Sequence, residues 1–272
     1  RTPARVEAGC RQEAHQRAPA TTAATMASAA AQWSSQARDA PTSATGAASE
    51  PVGTRAPVAY PELRLWYLDH HFWRAECVRL CLFMGGVPFE DKRVGYDELY
   101  GSGMLTFGTF PSLEVNGKPI AQTHAMAAFS GRLTGMYPND PWLAAKVDEI
   151  FGGLTDATDL VTGTMGIRDS NQKIQARQQM CQRDGRLTML LSGIESVLAQ
   201  NGGNGLSAGE SITVADLALW RAVNWLSCGT LDGIRTDYIQ RHFPNLWSVH
   251  CNIDNQPQVQ EWKQRNPRHY RK

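Results

Sequence analysis

The pattern of hydrophobic and polar positions divides the chain into two parts. An N-terminal tail has no periodicity, whereas the rest of the chain has helix and strand periodicity. Residues 1–60 are rich in Ala, Ser, Thr, Arg and Pro and show no sustained helical or strand period. Such a segment cannot bury enough apolar surface to offset the entropy lost on ordering, so we expect it to be disordered. From residue 63 onward, strand and helix periods alternate first and then give way to helices alone.

The first patterned part predicts a mixed α/β unit. Residues 63–68 alternate as a strand, and residues 74–84 form an apolar run with helical spacing. Residues 87–94 predict a second strand. A Gly-rich irregular segment follows, and then short apolar runs flank Asn116-Gly117, which is a strong hairpin signal. A helix over residues 123–133 closes the unit.

The remainder predicts only helices. Apolar residues recur at three- and four-residue spacings in four stretches, at residues 142–164, 171–200, 213–228 and 235–251. A Pro-containing linker precedes the first of them. We therefore predict three segments, which are a tail at 1–60, an α/β domain at 61–137 and an all-helical domain at 138–272.

Charge and cysteine usage narrow the functional classes. The chain has 27 Lys and Arg against 26 Asp and Glu, so it offers no net field for a polyanion and we expect no nucleic-acid partner. The longest apolar stretch, interrupted by Arg79, falls far short of the about 20 residues that span a membrane. Six scattered cysteines without a Cys-x-x-Cys pair argue against a disulfide framework or a metal site and favour a cytoplasmic location.

The tail carries two further hypotheses. Met26 opens a Met-Ala-Ser-Ala-Ala sequence, so residues 1–25 could be leader sequence rather than protein. The Arg-rich, acid-poor composition of the tail also resembles that of a transit peptide, although clear amphipathic periodicity is lacking.

Thr213 and Asp216 have the spacing of a capping box, which alone starts many helices. Four further stretches accompany it: Arg74-Ala75-Glu76-x-x-Arg79-Leu80, Phe110-Pro111-Ser112-Leu113-Glu114-Val115-Asn116-Gly117, Gln122-Thr123-His124-Ala125-Met126 and Phe243-Pro244-Asn245-Leu246. Together these motifs resemble the cytosolic glutathione transferase family, of which a capping box in the second domain is a hallmark, and the resemblance covers residues 63 to about 266. The first stretch resembles the sigma-like branch, which uses a tyrosine. This implies a thioredoxin-like glutathione-binding domain followed by an all-helical domain.

The resemblance implies that Tyr67 is catalytic. The family's tyrosine donates a hydrogen bond to the glutathione sulfur and lowers the pKa of the thiol. However, Tyr is also a common strand residue, and the loop from Tyr67 to Arg74 is one residue longer than in the family. Arg74 would support the thiolate electrostatically, or it is a solvated surface residue. No cysteine lies at this helix start, and the four-residue spacing of Cys77 and Cys81 suggests core packing.

The resemblance also implies a set of glutathione-binding residues. A cis bond before Pro111 would turn the backbone of Phe110, which follows Thr109, toward the cysteinyl peptide of glutathione; the alternative is a trans proline that opens a strand. Gln122 and Thr123 would hold the γ-glutamyl carboxylate at a helix N-terminus. The alternative for Thr123 is a helix cap alone.

Three features stand apart from this set. Asp156 would reach across a homodimer to the α-amino group of glutathione, or it is an exposed helix residue. We interpret His70 and His71 as polar loop residues, the alternative being that they contact the ligand or titrate. The Trp and Lys that the family places in its second-helix region are absent, because residues 98–102 read Glu-Leu-Tyr-Gly-Ser. This departure implies altered affinity for glutathione or altered geometry.

The function implied by the resemblance is transfer of glutathione. The enzyme would bind glutathione as co-substrate, without a metal, and add its thiolate to a hydrophobic electrophile. The acceptor pocket would lie between the Tyr67 loop and the helices that begin near residues 142 and 213. One alternative is a non-catalytic binding or scaffold protein, suggested by the tail, the longer loop and the altered second helix. The other is a glutathione-dependent isomerase, which would use the same thiolate.

Overall fold

The computed structural model describes residues 60–270. The predicted tail therefore lies outside the described residues, apart from Tyr60, and so do the leader and transit-peptide hypotheses. Within residues 60–270, no helix has the length and apolar character needed to cross a lipid bilayer.

A four-stranded mixed sheet forms in the first part of the described chain. Its strands are β1 (Leu63–Tyr67), β2 (Glu90–Arg93), β3 (Ser112–Val115) and β4 (Lys118–Ala121), in the order β2-β1-β3-β4. β1 runs parallel to β2 and antiparallel to β3. The β3–β4 hairpin turns at Asn116-Gly117, where both residues have positive φ, as a tight hairpin with this dipeptide requires.

Helices flank the sheet and follow it along the described chain. They are α1 (Trp73–Met84), α2 (Tyr96–Gly101), α3 (Thr123–Thr134), α4 (Pro141–Gly163), α5 (Ser170–Met180), α6 (Arg186–Gln200), α7 (Val214–Ser227), α8 (Tyr238–His242), α9 (Pro244–Asp254), α10 (Pro257–Arg265) and α11 (Pro267–Tyr270). The capping box predicted at Thr213 and Asp216 is confirmed at the start of α7.

Helix α1 is the centre of the packing. It contacts β1, α3 and α7, and almost all of its side chains are buried because apolar elements cover it on several sides. The indole N–H of Trp73 donates to the hydroxyl of Thr158 in α4, at 2.9 Å. Core packing of Cys77 and Cys81 is confirmed, and burial raises the pKa of both thiols. One hydrophobic core thus runs from the sheet into the helices, and the domain boundary at 137/138 stays a prediction.

Three predicted elements differ in extent from the observed ones. β2 begins at Glu90 rather than residue 87, because Val87 N–H still bonds to the Leu82 carbonyl at the end of α1. The helix predicted over 171–200 is two helices, α5 and α6, which break before Gly185. A Cβ at Gly185 would lie 2.3 Å from the Met180 carbonyl oxygen, so the chain turns there where only glycine fits.

The helix predicted over 235–251 is likewise two helices. Pro244 starts α9 in the first helical position, where its missing N–H costs nothing, and α8 ends at His242. The helical spacing of apolar residues continues across both breaks, because neighbouring helices of one bundle bury faces of similar composition. The breaks are caused by Gly185 and Pro244, and the apolar spacing does not show their effect on the backbone.

Candidate active site

One end of the sheet gathers most of the predicted site residues. Tyr67 ends β1, and the register that pairs Trp66 with Ser112 places it beside Pro111. Ser112 in turn pairs with Ala121, so Gln122 lies at the same end. The rings of Tyr67 and Phe110 have centroids 5.8 Å apart. Strand register therefore brings together residues that are 55 positions apart in sequence, as positions 67 and 122 are.

Tyr67 is a buried phenol between two guanidinium groups. Burial raises the pKa of Tyr67 to about 12, while the positive charges of Arg79 and Arg74 act in the opposite direction. The Arg79 guanidinium carbon lies 5.7 Å from the Tyr67 ring centroid. Within residues 60–270 the Tyr67 hydroxyl makes no hydrogen bond. The phenol is therefore protonated at neutral pH, and its O–H is available to donate to a ligand.

Arg74, at the start of α1, is held by an acidic residue that the sequence analysis missed. Its guanidinium pairs with the carboxylate of Asp159 in α4 at 2.7 Å and lies over the Trp73 ring at 5.0 Å. Asp159 follows Asp156 by three residues, so the two share a face of α4. The three-residue spacing of Asp156 and Asp159 could have indicated that both lie on one helix face, but the sequence analysis named Asp156 alone.

The segment before β3 leaves backbone groups unpaired. The bond between Phe110 and Pro111 is cis, as the resemblance implied. The N–H and C=O of Phe110 make no hydrogen bond in residues 60–270, so both are available to an extended peptide. Thr109 is exposed beside them. The hydroxyl of Ser112 donates to the Met104 carbonyl at 2.7 Å, which fastens the preceding loop to β3.

The start of α3 has the properties of an anion site. Gln122 has φ 70° and ψ 122°, a region that non-glycine residues rarely occupy and that costs about 1–3 kcal/mol. Thr123 is the first residue of the helix, so its interpretation as a simple N-cap is wrong, because Gln122 occupies that position without a side-chain cap. The first turn of α3 has no acidic residue. Its free N–H groups therefore favour a carboxylate.

Asp156 lies apart from this cluster. It is exposed on α4 and makes no ion pair or side-chain hydrogen bond in the described part of the chain. Its role in glutathione binding requires a second subunit, so it stays a prediction.

Helix α2 presents tyrosines in the region where the resemblance implied a Trp and a Lys. The rings of Tyr96 and Tyr100 pack edge-on against Phe110, with centroids at 5.9 and 6.2 Å. Both tyrosines are exposed. Tyr96 also lies close enough to Tyr67 to affect its pKa. The sequence analysis named Tyr100 but not Tyr96, although their four-residue spacing on one helix face was the signal.

The interpretation of His71 as a polar loop residue is wrong. Its side chain is buried among Glu76, Arg93 and Tyr270, whereas His70 is exposed as expected. The sequence could not show this, because the covering residues come from the far end of the chain. Within residues 60–270, no group of His, Cys, Asp and Glu side chains has the arrangement of a metal site.

The mixed sheet, the helices packed on it and the unpaired groups at its edge define the fold of a glutathione transferase. The family described as "Glutathione S-transferase, C-terminal domain" matches residues 159–266. S-crystallin 4 of Enteroctopus dofleini is 26% identical over 226 residues, covering 76% of this chain and 98% of that protein. Glutathione S-transferase 1 of Ascaris suum is 26% identical over 214 residues, with the same two coverages.

Solved structures agree with these relatives. Na-GST-3 of the hookworm Necator americanus, described as a monomeric glutathione S-transferase, has a TM-score of 0.62 at 25% identity, covering 76% of this chain and 98% of that one. Prostaglandin synthase D of Nilaparvata lugens has a TM-score of 0.64 at 20% identity, covering 76% and 99%, which shows a shared fold. The family match and the relatives together show that this chain is similar to glutathione S-transferases, in its helical part and along most of the described residues.

Proposed function

We propose that this protein is a glutathione transferase that joins the thiolate of glutathione to hydrophobic electrophiles. The observation that carries the proposal is the convergence of three sets of unpaired groups at one end of the sheet. These are the Tyr67 hydroxyl, the backbone of Phe110 and the first-turn N–H groups of α3. The relatives named as glutathione S-transferases support the same activity.

The binding step follows from these groups. The γ-glutamyl carboxylate would accept from Thr123 and the N–H groups beside it, with Gln122 alongside. The cysteinyl peptide would pair with the Phe110 backbone, next to Thr109 and Pro111, in the manner of an added strand. This would bring the sulfur near Tyr67. Tyr96 and Tyr100 would border the glycyl end, where the family's Trp and Lys are missing.

The chemical step depends on lowering the pKa of the thiol. Tyr67, which is protonated at neutral pH, would donate its O–H to the thiolate, and hydrogen bonding to a charged form favours that form. Arg74 and Arg79 add positive potential. The thiol proton leaves to solvent, and the thiolate forms a carbon–sulfur bond with the acceptor. A leaving group departs with its electron pair, or the added electrons take up a proton.

The acceptor would bind beside the loop that follows Tyr67. Phe72 of this loop packs edge-on against Trp225 of α7, with centroids 5.1 Å apart, and both side chains are half-buried. Such an apolar contact beside the acceptor would fit a hydrophobic substrate.

Substitution of Tyr67 by Phe tests the proposal. We expect Tyr67→Phe to lower kcat/KM for a generic aryl-halide acceptor by about 100-fold. The reason is that removing one preorganised hydrogen-bond donor to an anion, here the thiolate, typically lowers the rate by that factor. Retention on immobilised glutathione should persist, since the peptide contacts remain. Tyr238→Phe is the matched control, because it removes a buried hydroxyl that bonds to Thr188 away from the sheet.

The results separate the alternatives. Absence of both glutathione binding and conjugation in the unaltered protein would favour a scaffold. Full activity in Tyr67→Phe would remove Tyr67 from the mechanism. Isomerisation without conjugation of any electrophile would assign the thiolate to an isomerase.

Assembly and location belong to the same proposal. We propose a homodimer in which Asp156 contacts glutathione bound to the partner, in a cytoplasmic protein with a boundary between its two domains near 137/138 and no metal. The five described cysteines are free thiols, which fits a reducing compartment. Light scattering of the purified chain would give its mass in solution. In a dimer, Asp156→Asn should raise the KM for glutathione, and an unchanged KM would remove Asp156 from the site.

A further inference from the structure

The end of the described chain lies on the loop between Tyr67 and Arg74. Asp69 in this loop pairs with Arg268 at 2.9 Å and with His269 at 3.1 Å. The His269 ring stacks on the His71 ring, with centroids 3.8 Å apart. These contacts are partly exposed, so they contribute little stability by themselves. They show that helix α11 covers a loop that has a candidate catalytic residue at each end.

Tyr270 reaches deeper than its neighbours. Its hydroxyl donates to Oε1 of the fully buried Glu76 and lies 3.1 Å from Nδ1 of His71. Its ring is held separately, by stacking on Trp220 at 6.0 Å and by the Arg221 guanidinium at 5.0 Å. The hydroxyl and the ring therefore have different partners, and a substitution can remove one and keep the other.

The protonation of His71 follows from its partners. Nη1 of Arg93 lies 2.6 Å from Nε2 of His71. Since a guanidinium can only donate, Nε2 must accept, and the proton of the neutral ring is on Nδ1. Nδ1–H then points at Oε1 of Glu76, at 3.1 Å. Burial lowers the pKa of His71 to about 4, which agrees with a neutral ring.

The carboxylate of Glu76 is the centre of this group of residues. Oε1 also accepts from the Trp262 indole at 2.6 Å, and Oε2 accepts from Nη1 of Arg79 at 3.1 Å. Burial alone would raise the pKa of Glu76, but the hydrogen bonds and the charge of Arg79 hold it well below its usual range. Glu76 is thus an ionised, fully partnered carboxylate whose position depends on the donors around it.

Arg79 connects this carboxylate to the active site. Its Nη1 also donates to the His70 carbonyl at 2.9 Å, and its Nε donates to Asp91 of β2 at 3.0 Å. The same guanidinium faces the Tyr67 ring. A continuous set of contacts therefore leads from Tyr270 through Glu76 and Arg79 to Tyr67.

We propose that Tyr270 is a positioning residue for glutathione activation, acting through Glu76 and Arg79 on Tyr67 and on the loop at 68–72. The inference rests on the proposed transferase function. Without the Tyr270 hydroxyl, Glu76 loses one of its hydrogen-bond donors. The position of the carboxylate that holds Arg79, and through Arg79 the loop, is then less well fixed. Tyr67 and Arg74 would then meet the sulfur in a less favourable geometry, because small displacements of positioned groups are costly in catalysis.

The test compares Tyr270→Phe with Tyr238→Phe in the full chain. We expect Tyr270→Phe to lower kcat about tenfold, as loss of one hydrogen bond to a charged group does when its effect reaches the reacting atoms. The KM for glutathione should change less than about twofold, because the Thr123 end is untouched. The pKa of bound glutathione, followed by thiolate absorbance, should rise by about one pH unit. Tyr238→Phe should leave all three quantities unchanged.

The outcomes distinguish this inference from the proposed function. An unchanged thiol pKa and an unchanged kcat in Tyr270→Phe would overturn the positioning role while the transferase stands. If the unaltered protein forms no thiolate, the proposed function fails instead. In that case, amide hydrogen exchange at residues 68–72 tests whether Tyr270 positions the loop. The inference requires faster exchange in Tyr270→Phe than in the unaltered protein, and equal exchange would overturn it.

Discussion

Glu76 and Asp216 are two fully buried carboxylates whose hydrogen-bond donors differ in kind and in their distance along the sequence. Asp216 accepts from the backbone N–H groups of Ser207 and Thr213 at 2.6 and 2.7 Å and from the Thr213 hydroxyl at 2.9 Å. All its donors are neutral and lie within nine residues of it. Glu76 instead accepts from side chains that include the guanidinium of Arg79 and two aromatic donors near the end of the described chain.

The pKa values of these two groups move in opposite directions. Burial raises the pKa of Asp216 to about 6, because three neutral donors do not fully replace its lost hydration. The pKa of Glu76 lies below its usual range, because the hydrogen bond from His71, the charge of Arg79 and the other side-chain donors outweigh the same burial. Asp216 has no cation among its partners, so the difference indicates that a nearby cation helps to keep a buried carboxylate ionised. It also predicts which of the two is more costly to replace.

The largest expected effect is that of Glu76→Gln. This change leaves the Arg79 guanidinium buried beside a neutral amide, and removing one member of a buried ion pair costs about 3–5 kcal/mol. The free energy of unfolding from denaturant titration measures the loss. Glu261→Gln is the matched control, because Glu261 pairs with Arg265 on the surface of α10 and should contribute less than about 1 kcal/mol.

A loss below about 1 kcal/mol for Glu76→Gln would contradict the importance given to the cation. It would mean that Asp91, which also pairs with Arg79, compensates the charge of the guanidinium without Glu76.

A smaller effect is expected for Asp216→Asn. The amide keeps one acceptor but turns an N–H₂ toward a backbone donor, so about 2–3 kcal/mol of stability should be lost at pH 7. The native pKa of Asp216 is above its unfolded value of 3.8, so its ionised form opposes folding above that pH. The loss caused by Asp216→Asn should therefore be larger at pH 5 than at pH 7. Equal losses at both pH values would show that Asp216 titrates normally.

The same comparison explains what could be predicted from the sequence. The capping box of Asp216 is local, since Thr213 lies three residues before it, and the spacing alone predicted it. The donors of Glu76 in Trp262 and Tyr270 lie 186 and 194 residues away, and no spacing rule joins them. His71 was misinterpreted for this reason, because its burial depends on the end of the chain.

The candidate site divides in the same way. Tyr67, Phe110 and Thr123 were named from motifs that resemble those of a known family, and the hairpin that joins β3 to β4 was predicted from Asn116-Gly117. The pairing of Asp159 with Arg74 depends on how α4 packs against α1, and the role of Arg79 depends on how α1 packs against β1 and β2. Many apolar and charged residues have the same helical periodicity, and only the packing of the helices decides which of them come into contact.

The smallest expected effect concerns His71 and the pH dependence of folding. The native pKa of His71 is about 4 and its unfolded pKa is 6.5, so between these values the unfolded chain binds a proton that the native ring does not. Stability should therefore fall as the pH is lowered through this range. The main physical reason is the burial of His71, and in addition a second proton would occupy Nε2, which faces the Arg93 guanidinium.

His71→Gln isolates this effect, because glutamine does not titrate and the other groups, including Asp216, remain in both proteins. The free energy of unfolding of the unaltered protein relative to His71→Gln should fall by about 1–2 kcal/mol between pH 7 and pH 5. A constant difference would show that His71 accepts a proton in the native state. Glu76 would then balance the charge of His71 as it balances that of Arg79, and the contrast with Asp216 would rest on the number of cations rather than on Arg79 alone.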